Sequence, residues 1–172
     1  MKKHIGMLAL LALAGTSLLG QGKYLGNKGK VSFFSSAPLE DIEAVHEEVS
    51  GVIDAESGEV AFIVRMTGFQ FEKKLMQEHF NENYVESEKY PNATFEGKIT
   101  NNKDIDYSKK GTDPATVEGH LTIHGVGRDI QVSGEVEVKG KGIIARTTFI
   151  VKPEDHDIKI PKVVRKNIAE EV

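Results

Sequence analysis

The chain has 172 residues, a formal net charge of −4 and no cysteine. A length of this order fits one domain with its own hydrophobic core. The lack of cysteine excludes a fold that depends on disulfides. The mildly acidic balance argues against nucleic acid or anionic lipid head groups as the main partner.

The N-terminal segment has the layout of a secretory signal peptide. Lys2 and Lys3 precede an apolar run from Ile5 to Leu19 that ends in small residues, and this run is too short to cross a bilayer comfortably. We predict that residues 1–22 are a signal peptide, with cleavage near Gly20-Gln21-Gly22. The mature protein would then be one exported domain, residues 23–172, in the periplasm or outside the cell.

The first part of this domain predicts three strands. Alternating apolar residues indicate a strand at 31–36, and a helical turn is predicted at 39–44. Val49, Gly51 and Ile53 then share one face of a second strand, and a third strand runs from 60 to 66. The turn at 56–58 joins these two strands into a hairpin.

The period changes at 71–83. Phe71, Leu75, Met76, His79 and Phe80 fall on one face of a predicted helix, with charged residues around the rest. A fourth strand follows at 93–99. Residues 101–113 are rich in charge, and we predict that they form a solvated hairpin loop.

The clearest strand pattern lies between Val117 and Val138. Apolar and polar residues alternate on both sides of a break at Gly125 and Gly127, which predicts an antiparallel hairpin with one covered face. Gly119 and Gly134 fall on that covered face. A missing side chain there lets a sheet bend or leaves room inside it, which favours a curved sheet around a cavity.

The last predicted elements are a strand at 143–151 and a final strand within 154–172. Seven strands are then readable, an eighth is implied at the end, and one helix interrupts them. This profile is typical of an all-β antiparallel barrel or sandwich. We predict an eight-stranded antiparallel barrel with the helix packed at one end.

The predicted inner face supplies a candidate ligand-binding wall. Burial of each side chain is worth about 1.5 to 3 kcal/mol whether its neighbour is protein or ligand, so energy alone does not separate a packed core from a cavity. The candidate lining residues are Phe33, Val49, Ile53, Phe62, Val64, Met66, Leu75, Met76, Phe80, Phe95, Leu121, Ile123, Phe149 and Val151.

The histidines do not form a predicted metal or catalytic site. His120 and His124 would be about 13 Å apart along one strand, which is too far for a shared metal ion, and we predict that both are exposed. His79 is predicted to pack on the apolar face of the helix and His156 to lie in a solvated turn. We therefore predict no catalytic residues, no metal, no cofactor and no enzymatic activity.

Three stretches resemble the YceI-like family of exported bacterial proteins. Met76 to Phe80 together with Tyr84 to Phe95, YVESEKYPNATF, resemble the family signature "HL…FF…yPxxxF", and Gly119 to Val126, GHLTIHGV, resembles its "GxLTxxGV" signature. Gly127 stands where the family often has Thr. The resemblance covers essentially the whole mature chain and implies a lipocalin-like barrel with an elongated apolar cavity.

The resemblance further implies that this cavity takes up a polyisoprenoid chain or a similar amphiphile. Our first hypothesis is a non-enzymatic carrier that sequesters or transports an isoprenoid-type lipid, polyprenyl or quinone-like, in the bacterial envelope. The alternative is a structural or interaction barrel, filled by its own side chains, that works through its surface or an edge strand. A transient membrane contact and a homodimer are further candidate interactions; nucleic acid is not.

Overall fold

The computed structural model describes residues 13–17, 22–36, 39, 41–162 and 172, with only the backbone given for 13–17. Most of the predicted signal peptide, and residues 163–171 of the segment in which the final strand was predicted, lie outside the described residues. The backbone of Leu13–Ser17, inside the predicted signal peptide, forms a strand. Removal of residues 1–22 stays a prediction.

The described residues form nine strands in one antiparallel sheet. They are β1 (Leu13–Ser17), β2 (Lys23–Ser36), β3 (Asp41–Asp54), β4 (Glu59–Arg65), β5 (Gln70–Phe71), β6 (Asn92–Ile99), β7 (Gly111–Ile123), β8 (Val126–Lys139) and β9 (Gly142–Thr147).

The sheet curls into a nearly closed barrel. Its neighbours run in the order β2, β1, β9, β8, β7, β6, β4 and β3, and β3 pairs back onto β2. The two-residue strand β5 pairs with β3 and is too short to count as one of the barrel strands. The predicted eight-stranded antiparallel barrel with one short helix is therefore confirmed.

Strands β2 and β3 are longer than the sequence pattern predicted. The helical turn predicted at 39–44 is wrong, because Asp41 to Ala44 pair in register with Phe33 to Ser36 of β2. This ladder joins two segments of the chain, and such pairing overrides a weak local helical tendency. The Gly-rich start of β2 also pairs with β3, and its register shifts around Gly29, as expected of a β-bulge.

The helix is shorter than predicted. Helix α1 covers Lys74–His79, and a π-helical turn, Phe80–Tyr84, continues it. Phe71 lies in β5, where it pairs with Ala44. Its backbone N–H donates a hydrogen bond to Gln77 Oε1 at 3.2 Å, so the side chain of the helix ties β5 to α1.

One end of the barrel is closed by packed side chains. This closed-end core consists of Tyr24, Ile53, Val60, Ile99, Ile105, Ala115, Val136, Val138 and Ile143. The loop predicted to be solvated contributes to it, since Ile105 is buried and Tyr107 stacks on Tyr24 with ring centroids 6.1 Å apart. Burial raises the pKa of Tyr107 to about 12, and its hydroxyl donates to Asn102 Oδ1 at 2.8 Å.

A second core lies at the end that carries α1. This helix-end core contains buried Ala44, Met66, Phe69, Val85 and Ala93. The rings of Phe33, Phe71 and Phe80 pack against it. Within the described part of the chain, no helix is long and apolar enough to cross a membrane.

Candidate functional site

An apolar cavity of about 650 Å³ lies between the closed-end core and the helix-end core. Its wall consists of the inward-facing residues of the long strands, since every second residue of a strand faces the lumen. On β6 these residues are Ala93, Phe95 and Ile99, and on β8 they include Val132 and Val136. The cavity is of the size that holds small apolar ligands in other proteins.

The cavity brings together the predicted lining residues with one exception. Phe33, Ile53, Phe62, Val64, Met66, Leu75, Met76, Phe80, Phe95, Leu121, Ile123, Phe149 and Val151 all line it. Val49 is fully buried and is not among the lining residues. Whether the lining residues contact a ligand stays a prediction.

Several lining residues were not in the predicted set. Phe69 follows a short 3₁₀ turn, Met66–Gly68, and no strand or helix period marks it. Val117, Val132 and Val136 also line the wall. Their alternation with polar residues in β7 and β8 was the signal that could have identified them.

Two phenyl rings lie flat against the wall about halfway along the cavity. Phe62 and Phe95 are paired across β4 and β6, and their ring centroids are 6.3 Å apart. A Cβ on Gly51 would overlap the Phe62 ring, and a Cβ on Gly97 or Gly119 would come within 2.8 Å of Phe95 Cζ. The inward glycines therefore leave the space that these two rings occupy.

The cavity reaches solvent beside α1. Lys73, Leu75 and His79 line it and are also exposed. His79, predicted to pack on the apolar face of the helix, thus lines the cavity at its rim with its side chain exposed. The charged and polar side chains of this rim stand at the end of the apolar lumen, which is the arrangement that an amphiphile requires.

Aromatic rings cover the helix end next to this opening. The ring of Phe80 lies 5.6 Å from Phe33, 5.6 Å from Phe69 and 5.1 Å from Phe71, measured between centroids. Distances of this size are favourable for tilted and edge-to-face pairs. The cluster holds the π-helical turn against β2 and β5.

A polar cluster joins three loops outside the cavity wall. His124 Nε2 lies 2.6 Å from Glu86 Oε2, and His124 Nδ1 lies 3.1 Å from the carbonyl oxygen of His156. His156 Nδ1 donates in turn to the carbonyl oxygen of Val126 at 2.9 Å. The predictions that His124 is exposed and that His156 lies in a solvated turn are wrong, because these contacts bury both rings.

The backbone of this cluster is unusual. Glu86, His124 and Asp157 are the described residues other than glycine that have positive φ, at 45°, 52° and 56°. The hydrogen bond from His124 lowers the pKa of the Glu86 carboxyl. Both ring nitrogens of His124 lie within hydrogen-bond distance of an oxygen atom.

The other histidines form no shared site. His120 is exposed, as predicted, and its Nδ1 lies 2.8 Å from Asp129 Oδ1. His46 is buried, and its Nδ1 accepts a hydrogen bond from the backbone N–H of Glu48 at 3.0 Å. Among the residues with described side chains, no group of three or more His, Asp or Glu is arranged to hold a metal ion.

The fold and the site define a lipocalin-like antiparallel barrel with an internal cavity open beside a short helix. The chain belongs to the YceI-like family, since a family model for the YceI-like domain matches residues 26–172. A comparison with curated proteins found no match.

Solved structures share the fold. A polyisoprenoid binding domain from Saccharophagus degradans, described as implicated in plant cell wall breakdown, superposes with a TM-score of 0.73 at 15% identity, over 88% of this chain and 93% of that chain. The Campylobacter jejuni YceI protein gives 0.55 at 20% identity, over 75% and 78%. Burkholderia cenocepacia BcnA gives 0.55 at 14% identity, over 94% and 90%.

Proposed function

We propose that this protein binds an isoprenoid-type lipid in its barrel and sequesters or transports it in the bacterial envelope, without catalysing a reaction. The single observation that carries the proposal is the apolar cavity of about 650 Å³ beside α1. Membership of the YceI-like family and the polyisoprenoid-binding description of the Saccharophagus degradans domain support the choice of ligand class.

The volume of the cavity limits the chain that it can hold. A water molecule takes about 30 Å³ of liquid, and a chain carbon with its hydrogens takes a similar volume. A cavity of about 650 Å³ therefore has room for roughly 20 carbon atoms, or about four isoprene units, on the same scale. A longer lipid would leave its remaining units and its head group beyond the rim at Lys73 and His79.

Desolvation of the chain supplies the affinity. Each buried methylene group contributes about 0.8 kcal/mol, so a chain of roughly 20 carbons contributes about 16 kcal/mol. Loss of translational and rotational freedom costs about 4 to 15 kcal/mol. The difference favours uptake, and it grows with the length of chain that the cavity buries.

The same observation weighs against the alternative of a barrel filled by its own side chains. A self-filled core would leave few voids larger than a water molecule. The void here is many times that size, and its wall is almost wholly apolar. Export, a transient membrane contact and a homodimer remain parts of the proposal that need their own tests.

A tryptophan placed in the lumen tests the proposal. The chain contains no tryptophan, and Val117 lines the cavity while Ser133 on β8 is exposed on the outer face. We expect delipidated Val117→Trp to bind tritiated geranylgeraniol at least about tenfold more weakly than the delipidated wild-type protein does. The reason is that the indole occupies lumen volume. Ser133→Trp should bind like the wild-type protein.

The paired design separates a lumen effect from a general one. Equal binding by both variants would contradict uptake inside the barrel, and a lack of binding by the folded wild-type protein would contradict lipid binding altogether. Fluorescence of the introduced indole gives an independent readout at prenol concentrations high enough to fill the weakened site. Lipid should then shift the emission of Val117→Trp and leave that of Ser133→Trp unchanged.

A further inference from the structure

The rings of Phe62 and Phe95 lie over glycine residues about halfway along the cavity. Gly51, Phe62, Phe95 and Leu121 stand on one rung of the barrel wall, paired successively across β3, β4, β6 and β7. The Phe62 ring leans sideways over Gly51. The Phe95 ring leans along its own strand over Gly97 and across to Gly119, which is paired with Gly97.

These rings separate the cavity into two parts along its length. Towards the helix end, the next inward residues are Val64 and Ala93, which are paired with each other. Towards the closed end, the wall continues through Val60 and Ile99. The Phe95 ring reaches over Gly97, and two residues of strand separate Gly97 from Ile99, so the deeper part extends about 7 Å beyond the rings.

An apolar chain must pass both rings to reach the deeper part. Phe62 and Phe95 are half-buried, pack on the closed-end core and line the lumen. The space is open because each ring lies over a residue without a side chain. We infer that the Phe62 and Phe95 rings, held against the wall by Gly51, Gly97 and Gly119, set the length of apolar chain that the cavity admits. This inference rests on the proposed function.

The three glycines are not equivalent as test positions. A Cβ on Gly119 would meet the backbone oxygen of Glu96 at 2.5 Å and the Cα of Gly97 at 2.7 Å, so a substitution there would distort the sheet itself. A Cβ on Gly51 would overlap the Phe62 ring, while the nearest backbone atom, the carbonyl oxygen of Ala61, lies at 3.0 Å. Gly51→Ala therefore moves mainly the ring.

The experiment compares two prenols of different length on delipidated protein. We expect Gly51→Ala to lower the affinity for geranylgeraniol, which has twenty carbons, by about tenfold, since a displaced ring overpacks the path of the chain. Geraniol, with ten carbons, fits in the part nearer the helix and should lose less than about twofold. Gly111→Ala is the matched control, because a Cβ on Gly111 meets no atom within 4 Å.

A double-mutant cycle assigns the effect to the ring. Without the phenyl group, a methyl group at position 51 has nothing to displace. Gly51→Ala combined with Phe62→Ala should therefore bind geranylgeraniol as Phe62→Ala alone does. A loss that persists undiminished in the Phe62→Ala background would overturn the inference, and so would equal losses for the two prenols.

A second variant keeps the inference testable if Gly51→Ala does not fold, as judged by circular dichroism. Phe95→Trp leaves the glycines unchanged and enlarges the ring that lies on Gly97 and Gly119. It should reduce binding of geranylgeraniol more than that of geraniol, and an unchanged ratio would overturn the inference. Failure of the folded wild-type protein to bind either prenol would instead overturn the proposed function, and this inference with it.

Discussion

At the scale of single residues, the Glu86 carboxyl links the loop after the helix to the β7–β8 turn through His124. The pKa of this carboxyl is lowered first by the hydrogen bond with His124 and then by the nearby positive charges of Lys89 and His124. The ring of Tyr90 packs on His124 with centroids 4.5 Å apart, and Lys89 Nζ lies 4.8 Å from the Tyr90 ring centroid. These contacts hold the loop after the helix against the β7–β8 turn.

The lowered pKa has a defined consequence for stability. A carboxyl whose folded pKa lies below its unfolded value stabilises the fold above the unfolded pKa, and this contribution is lost as the pH falls through the folded pKa. For Glu86 the loss therefore falls below the ordinary value of 4.5.

We predict that His124→Asn raises the pKa of Glu86 towards 4.5, because the substitution removes the largest cause of the shift. Asn tolerates the positive φ of this position, so the turn should persist. An NMR titration of the Glu86 side-chain carboxyl measures the pKa directly. His120→Asn, which alters an exposed histidine, is the control; identical Glu86 titrations in the wild-type protein and His124→Asn would contradict the assignment.

At the scale of elements, the attachment of α1 to the barrel depends on the ring of Phe80. Phe80 is the residue at which α1 passes into the π-helical turn, and its ring contacts Phe33, Phe69 and Phe71. Neither α1 nor the π-helical turn contains a buried residue, so their attachment relies on half-buried contacts. The short helix thus covers the rim through its aromatic side chains and not through a continuous apolar face.

Phe80→Ala should lower the free energy of unfolding by about 2 to 3 kcal/mol, the scale of losing one large apolar side chain from a partly buried site. Leu75→Ala on the same helix is the control. Leu75 is 62% exposed, so its truncation should cost less than about 0.5 kcal/mol. Urea unfolding gives both values, and equal losses would show that the aromatic cluster does not anchor the helix.

Elements whose pairing is local in sequence were predicted best. The β7–β8 hairpin appears over Val117 to Val138 as the alternation indicated, because its two strands adjoin one another and bury the same face. The segment at 39–44 was mispredicted because its partner strand β2 decides its conformation. Phe71 fits a helical period, but its pairing with Ala44 places it in β5.

The candidate site shows the same difference between patterns that are local in sequence and contacts between distant segments. Alternation identified most of the lumen wall, since inward residues repeat every second position. It could not identify the cluster of Glu86, His124 and His156, whose members come from three distant loops. The sequence also placed Gly119 on the inner face, but the Phe95 ring that occupies the vacant space becomes visible only when β6 and β7 are paired.

At the scale of the whole molecule, the barrel combines a packed end with an open one. The closed-end core supplies stability without disulfides, since the chain has no cysteine. The cavity next to it takes up volume that side chains could fill in a barrel of this size. That loss of packing is explained if an apolar chain replaces the missing side chains.

Native mass spectrometry of the delipidated protein incubated with geranylgeraniol tests this claim most directly. The account predicts one bound prenol per chain, retained by the wild-type protein and by Ser133→Trp and lost from Val117→Trp. A folded wild-type protein that shows only its own mass over a range of prenol concentrations would contradict lipid uptake by the barrel.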